Sequence, residues 1–343
     1  MVVEQSDKKH IGRRQFLKGS AALGAAVCLE SLLGGCATLQ FKEEKNTAFP
    51  PLPAEKIQPP EYGCLIGFHN PYQGPSYYES FLNISPAIMT TFSYDSITSA
   101  PALMLPSIFV DKKAIPLLFE GTGNANLADI IKGKHDRIIE LNAKNLTQDG
   151  TKYGGFFINT MWEMNGYWFP WGQNSAFKKA WKHIWQIFED NGTNRYATWV
   201  WEVYCPEVDP NIHDPDIYYA GDKYIDWIGL SAFNRNMFPN TNLSYDTLTY
   251  RTYKQMRINH PTKPIMQSEF GKTSLEDQVK WVKDAYRTIK ARPGMKAAVY
   301  FDGVSAGPGA ATARFDDKTL RPDTLQEIKT ILKDRYFIKS HNI

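Results

Sequence analysis

The 343-residue chain is poor in cysteine, carries no excess of either charge and lacks the sequence signatures of a metal site. Its 39 Lys and Arg residues nearly balance 36 Asp and Glu residues, so electrostatic capture of a nucleic acid is not expected. No H-E-x-x-H, paired C-x-x-C or acidic calcium loop occurs, and we therefore expect neither a metal nor another cofactor. With 43% hydrophobic and 22% charged residues, the composition is that of a globular protein.

Only four cysteines are present, and two of them belong to the N-terminal region. Cys28 lies in an apolar stretch near the N-terminus and Cys36 follows that stretch, whereas Cys64 and Cys205 lie in apolar, strand-like runs far apart in the chain. Because Cys64 and Cys205 do not have metal-ligand spacing, we predict two buried thiols; a disulfide between them is the alternative.

The first 35 residues have the pattern of a bacterial export signal. The twin arginines Arg13 and Arg14 precede a stretch of small and apolar residues over 19–35. That stretch contains Glu30 and is short for a membrane span of about 20 residues, although a single-pass anchor is the alternative. Leu-Gly-Gly-Cys at 33–36 resembles the bacterial lipobox, which implies that Cys36 is lipidated; Ala37 after it implies outer-membrane sorting where two membranes exist.

Residues 36–60 are first charged and then rich in proline, which is typical of a semi-extended tether. We therefore predict a signal over 1–35, a lipidated tether over 36–60 and one folded domain over 61–343. The protein is expected to be exported, attached to the cell envelope through Cys36, and monomeric.

From residue 63 onward, eight short apolar runs alternate with amphipathic segments. Continuous apolar runs are typical of parallel strands that are covered on both faces. The predicted strands cover 63–68, 87–92, 115–119, 155–161, 196–203, 224–232, 264–269 and 297–301. Amphipathic spacing predicts helices over 176–190 and 275–290, and a weaker pattern marks 134–145 and 247–259 as further helix candidates. This pattern predicts an α/β fold, a single-domain (β/α)8 barrel. A doubly wound sheet is the alternative, but no G-x-G-x-x-G turn follows the first strand.

Polar residues collect at the carboxyl ends of the predicted strands, where barrel enzymes place their catalytic groups. In strand order they are His69 and Asn70, Asp95, Glu120, Glu163 and Asn165, Glu202, Asn234, Glu269 and Asp302. Carboxylates repel one another, so a cluster of them around one opening costs stability and points to function.

Glu163 and Glu269 are the strongest catalytic candidates. Strand four leads into Glu163 and an aromatic loop (GFFINTMWEMNGYWFPWG), and strand seven ends on Glu269 (KPIMQSEFG). The two strand ends face each other across the barrel opening. Retaining glycoside hydrolysis needs a proton-bearing carboxyl group and an ionised one about 5 to 5.5 Å apart. Aromatic rings beside them suit the C–H faces of sugars, although core packing is the alternative for Trp162, Trp168 and Trp171.

The motif W-E-M-N-G-Y-W-F-P-W-G resembles the acid/base loop of glycoside hydrolase family 26, and K-P-I-M-Q-S-E-F-G resembles that family's nucleophile strand. The family typically contains mannanases, with relatives that act on mixed-linkage glucans and xylans. The resemblance implies that Glu163 is the general acid/base, that Glu269 is the nucleophile, and that Trp168 and Trp171 line the sugar subsites. It implies a retaining endo-β-glycosidase for β-mannan, mixed-linkage β-glucan or an exopolysaccharide.

Three positions depart from the family pattern. Trp162 stands where the family has His, and Phe233 stands where an aromatic hydroxyl would contact the nucleophile. At the end of strand eight, where a Trp is common, the chain reads Tyr300-Phe301-Asp302. A standard mannan pocket is therefore not expected. The residues expected to contact substrate are His69, Asn70, Trp162, Asn165, Trp168, Trp171, Glu202 and Phe233. A non-catalytic glycan-binding protein of the cell surface is the alternative function.

One further motif is a chance match. Residues 303–307 read G-V-S-A-G and fit the G-x-S-x-G nucleophile elbow, but Gly-Pro-Gly at 307–309 prevents the helix that this motif requires.

Overall fold

A computed structural model describes residues 49–70, 74–99, 103–205, 209–234, 243–272, 278–302 and 322–340. Within these ranges, eight parallel strands form a closed barrel, since each strand pairs with the next and β8 pairs with β1. The strands are β1 (Cys64–His69), β2 (Ile88–Ser93), β3 (Ile115–Glu120), β4 (Phe156–Thr160), β5 (Ala197–Tyr204), β6 (Trp227–Asn234), β7 (Ile265–Lys272) and β8 (Met295–Phe301). The predicted (β/α)8 fold is confirmed, and every predicted strand overlaps an observed one.

Helices surround the barrel and cover its outer face. They are α1 (Pro75–Leu82), α2 (Ser96–Ser99), α3 (Ser107–Val110), α4 (Leu127–Ile131), α5 (Asp136–Tyr153), α6 (Phe177–Asp190), α7 (Tyr245–Asn259), α8 (Gln278–Ala291) and α9 (Pro322–Ile331). The predicted apolar face of α6 is buried through Phe177, Trp181, Ile184 and Trp185. None of the described helices is long and apolar enough to cross a membrane.

Helix α5 runs eight residues beyond its predicted end at residue 145. Its last turns contain Thr147, Gly150 and Thr151, which are weak helix formers, so local propensity favours an earlier end. Tertiary packing overrides that preference, because the helix packs closely on Tyr196 at Gly150. The approach is so close that a Cβ at this position would lie 2.5 Å from the Tyr196 ring. The helix ends at Gly154, whose φ of 94° is accessible mainly to glycine.

A ninth strand, β9 (Phe337–Ile338), pairs in parallel with the start of β1 and was not expected from the sequence. Two residues are too few to give a periodic pattern. Cys64 and Cys205 are both buried and free, as predicted. The G-x-S-x-G match at 303–307 lies outside the described residues.

Residues 49–60 lie against the amino-terminal end of the barrel, although the sequence predicts them as part of a tether. Lys56 forms an ion pair of 2.7 Å with Asp226, which directly precedes β6, and both side chains are largely buried. The backbone amide of Ile57 donates a hydrogen bond to the hydroxyl of Thr198 at the start of β5 (2.8 Å). The compact unit that contains the barrel includes these residues. The predicted domain boundary at residue 61 is therefore too late, because buried contacts and not composition decide where the domain begins.

Candidate active site

Glu163 reaches the barrel opening through an unusual backbone path. Directly after β4, Met161 and Glu163 adopt φ values of 52° and 51°, the left-handed region that residues with a Cβ rarely occupy. The carboxylate of Glu163 is 5% exposed and accepts two hydrogen bonds. The hydroxyl of Ser231 on β6 donates to Oε1 (2.5 Å), and the indole of Trp168 donates to Oε2 (2.7 Å). Strained residues of this kind cluster at functional sites.

Glu269 is oriented by a β-bulge in β7. Leu230 of β6 pairs with Gln267, but the next residue, Ser231, pairs with Glu269, so that Ser268 is the extra residue. The side-chain amide of Gln267 donates to the carbonyl groups of Leu230 (2.7 Å) and Glu269 (2.9 Å), which stabilises the interrupted ladder. A bulge changes the direction in which the following side chain points.

Three buried carboxyl groups meet at the centre of the opening. One oxygen from each of Glu163, Glu202 and Glu269 lies within 4.8 Å of the others. The structure thus brings Glu163 and Glu269 together as the sequence predicts, at a spacing that suits a retaining mechanism. Three carboxylates could in principle bind a cation, but both oxygens of Glu163 already accept hydrogen bonds from Ser231 and Trp168. We therefore interpret the cluster in terms of proton transfer and nucleophilic attack.

Glu202 is the most enclosed of the three. It is 1% exposed, and burial, together with the nearby charge of Glu163, raises its pKa well above the usual range. The side chains of Ser268, Glu269 and Asn159 lie against it and partly offset that rise. Its predicted contact with substrate stays a prediction.

Three exposed aromatic rings lie near the catalytic end of the barrel. Trp168 is 39% exposed and packs edge-to-face on Tyr204 at the end of β5, with ring centroids 4.8 Å apart. Tyr167 packs on Trp168, and Tyr94, which follows β2, packs against Trp171. Their exposure leaves aromatic surface available to the apolar faces of sugars.

The model of the family described as "Glycosyl hydrolase family 26" matches residues 123–291, which contain both catalytic candidates. This part of the chain is a glycosyl hydrolase family 26 domain. A second family model, for the twin-arginine translocation signal, matches residues 10–29 and indicates export across the cytoplasmic membrane.

Individual relatives agree with this family. A β-1,3-xylanase from Vibrio sp. is 22% identical over 187 residues, which cover 51% of this chain and 39% of the relative. The chain thus spans well under half the length of that protein. The family 26 domain of an endo-β-mannanase/endo-β-glucanase from Prevotella bryantii has a TM-score of 0.61 at 13% identity, over 82% of this chain and 92% of that one. A family 26 β-mannanase from Bacteroides ovatus has a TM-score of 0.62 at 16% identity, over 82% and 91%. The two structures show the shared fold.

Three of the residues expected to contact sugar instead support the loop that carries Glu163. Trp171 is fully buried, and its indole donates to the carbonyl of Trp162 (2.8 Å). Trp162 is 6% exposed and packs within a cluster of aromatic rings. The amide of Asn165 donates to the carbonyl of Tyr204 and accepts from its backbone N–H, both at 2.9 Å. These contacts fix the loop that carries Glu163, so the expected sugar contacts are corrected to a supporting position.

The remaining expected residues lie on the β1, β6 and β8 side of the opening and are almost fully buried. His69 packs against Phe301, with ring centroids 4.5 Å apart, and bonds to the hydroxyl of Thr90. Burial lowers the pKa of His69 to about 3, so the imidazole is neutral. Phe233 also packs on Phe301, at 5.3 Å.

Asn70 belongs to a polar cluster at the end of β8. Its amide donates to Asp302 (3.3 Å), and the same carboxylate accepts a hydrogen bond from the hydroxyl of Tyr78 (2.9 Å). The side-chain amide of Asn70 therefore already forms a hydrogen bond within the protein and does not point freely into the opening.

Sequence reasoning did not single out Ser231, Gln267, Ser268, Tyr94 or Tyr204. Ser231 lies within the continuous apolar run of β6, and Gln267 and Ser268 lie just before the strand end. A bulge leaves no periodic signal in one sequence, and it is the bulge that sets the register of Ser231 with Glu269. The position of Tyr204 at the carboxyl end of β5 is a sequence signal that could have indicated its contact with Trp168.

Proposed function

We propose that this protein is a retaining endo-β-glycosidase that hydrolyses a β-linked polysaccharide by double displacement. The observation that carries the proposal is the meeting of two buried carboxyl groups, from Glu163 after β4 and Glu269 in β7, with oxygens within 4.8 Å. Membership of the domain in glycosyl hydrolase family 26 supports the same reaction.

In the first step, Glu163 gives its proton to the glycosidic oxygen while Glu269 attacks the anomeric carbon. The bond to the leaving sugar breaks, and an ester bond to Glu269 forms. In the second step, Glu163 takes a proton from water, whose oxygen attacks the anomeric carbon and releases Glu269. The two donors on Glu163, Ser231 and Trp168, hold its carboxylate for both steps.

The substrate class follows from the exposed rings and from the relatives. Tyr94, Tyr167 and Trp168 offer apolar surface, which suits the C–H faces of a neutral glycan chain. The relatives named above are a β-1,3-xylanase, an endo-β-mannanase/endo-β-glucanase and a β-mannanase. We therefore place β-mannan, mixed-linkage β-glucan, β-xylan and neutral exopolysaccharides in one candidate group.

We also propose that Cys36 carries the lipid anchor of the mature protein. Residues 49–60 meet the barrel at the amino-terminal ends of β5 and β6, opposite the catalytic opening. Loss of membrane fractionation in Cys36→Ala, with the soluble activity retained, is the expected result; an unchanged membrane fraction would contradict it.

The experiment is a panel of neutral β-glycans incubated with the wild-type protein, Glu163→Ala and Glu269→Ala. We expect both variants to lose activity by about a thousandfold or more, and azide to restore turnover in Glu163→Ala by replacing water as nucleophile. Glu189→Ala, an exposed carboxylate on α6, is the matched control and should remain fully active.

Proton NMR of the first product anomer distinguishes the mechanisms. Retention of the β configuration supports double displacement, and inversion would refute it. Tight glycan binding without hydrolysis, unaffected by either glutamate substitution, would instead establish the glycan-binding alternative.

A further inference from the structure

Glu202 is a buried carboxyl group that the proposed reaction does not use. It lies in β5 and is 1% exposed. Its neighbour in the β5–β6 register is Gly229, where an added Cβ would come within 3.1 Å of the Cβ of Glu202 and 2.8 Å of Ser268 Oγ. The absence of a side chain at Gly229 is what leaves room for Glu202 at this depth.

The groups around Glu202 do not neutralise a negative charge. The two titratable groups that face it are Glu163, from the loop after β4, and Glu269, from β7, and both are acidic. Its other polar neighbours, Asn159 of β4 and Ser268 of β7, are uncharged. Among the described residues, neither oxygen of Glu202 accepts a hydrogen bond from a donor group.

An ionised Glu202 would thus be a buried charge without a counter-ion, beside two other carboxyl groups, and this is costly. A protonated Glu202 has a hydroxyl to donate. Glu269 offers an acceptor oxygen within 4.8 Å, and Glu163 already receives hydrogen bonds from Ser231 and Trp168 at its two oxygens. The favourable arrangement is a proton held on Glu202 and directed at Glu269.

We propose that Glu202 is a positioning residue whose protonated carboxyl group donates a hydrogen bond to Glu269 and so keeps the nucleophile ionised and oriented for attack. The inference rests on the proposed function in that Glu269 is taken as the nucleophile. The protonation state itself does not depend on that function and can be measured without a substrate.

The first experiment is an NMR titration of protein labelled with ¹³C at the glutamate side-chain carboxyl carbon. Apart from the signals of Glu120 and Glu163, which Glu120→Gln and Glu163→Gln identify, one resonance should keep the shift of a protonated carboxyl group at neutral pH and should be missing in Glu202→Gln. Glu269→Gln identifies the resonance of the nucleophile. In Glu202→Leu, the titration midpoint of Glu269 should rise by about one pH unit or more, because the hydrogen-bond donor that stabilises its ionised form is lost. If no glutamate besides Glu120 and Glu163 is protonated at pH 6, or if that further signal persists in Glu202→Gln, the proposal is wrong.

The second experiment compares Glu202→Gln and Glu202→Leu on whichever glycan of the panel is hydrolysed. The amide of Gln can still donate to Glu269, so kcat/KM should stay within about threefold of the wild type and the acidic limb of its pH profile should not move. Leu removes the donor, so kcat/KM should fall roughly 10- to 100-fold and the acidic limb should move to higher pH.

Each other outcome has a defined meaning. If Glu202→Gln is as inactive as Glu269→Ala, Glu202 acts as an ionised group and the proposal is wrong; it is also wrong if both Glu202 variants match the wild type. If Glu202→Leu does not fold, the wild-type titration and Glu202→Gln still decide the question. If no glycan is hydrolysed, the proposed function fails, whereas the titration continues to test the proton on Glu202.

Discussion

The hydrogen bond from Ser231 to Glu163 allows a quantitative prediction for Ser231→Ala. The hydroxyl is 2.5 Å from Oε1, Ser231 is fully buried and Glu163 is 5% exposed, so water cannot readily replace the bond. A hydrogen bond to a charged group contributes about 1.5–3 kcal/mol. Because Trp168 still donates to Oε2, we take the lower end, about 1.5 kcal/mol, which corresponds to about one pH unit.

The bond stabilises the ionised form of Glu163, so its loss should make the group hold its proton more tightly. We therefore expect the alkaline limb of the kcat/KM profile of Ser231→Ala to move upward by about one pH unit. The assay is release of reducing ends from the hydrolysed glycan, measured from about pH 4 to about pH 10.

Thr160→Val provides the matched control for this experiment. It removes an equally buried hydroxyl at the end of β4, one that donates to the carbonyl of Glu120 and not to Glu163. Its pH profile should match that of the wild type. An unmoved alkaline limb in Ser231→Ala, or the same shift in both variants, would show that Ser231 does not set the protonation of Glu163.

Three further predictions concern stability. Burial raises the pKa of Glu120 to about 8, so between about pH 4.5 and 8 the folded state binds more protons than the unfolded state, and stability falls as the pH rises. Relative to Glu120→Gln, the free energy of unfolding of the wild type, measured with urea, should fall by about 1.4 kcal/mol per pH unit in this range. The same pH dependence of the unfolding free energy in both proteins would contradict this. Gly229→Ala should lower the free energy of unfolding by about 1–3 kcal/mol and reduce activity, since the added Cβ would meet Ser268 and Glu202. Wild-type stability and activity in this variant would show that the added Cβ is accommodated. A chain that begins at residue 61 should be about 3–5 kcal/mol less stable than one that begins at residue 49, because it leaves Asp226 without Lys56. Equal denaturation midpoints for the two chains would show that residues 49–60 contribute nothing.

The fold was predictable because its signals are local. A buried parallel strand needs a short apolar run, and a covering helix such as α6 needs an apolar stripe, and both can be read from neighbouring residues. Once the barrel is accepted, its geometry places the ends of β4 and β7 at one opening, and the two glutamates with them. The disagreements arise where distant residues decide: the end of α5 depends on Tyr196, and the start of the domain depends on Asp226.

The aromatic residues show the same division within the site. The sequence indicates a loop rich in Trp after β4, but exposure depends on what each ring packs against. Trp171 is covered by Tyr94 and bonded to Trp162, whereas Trp168 keeps an open face and donates to Glu163. The sequence pattern gave these rings the same expected role, and three-dimensional packing separates them.

By itself, the amino-acid sequence determined the barrel, the export signal and the pair of glutamates, because apolar periodicity and motif spacing are properties of the chain. Only the tertiary structure decided that a bulge at Ser268 precedes Glu269, that Ser231 and Trp168 hold the carboxylate of Glu163, and that Glu202 lies beside both glutamates. The physical reason is that a carboxyl group acquires its protonation and its direction from burial and from neighbours on other strands, and a linear sequence does not record those neighbours.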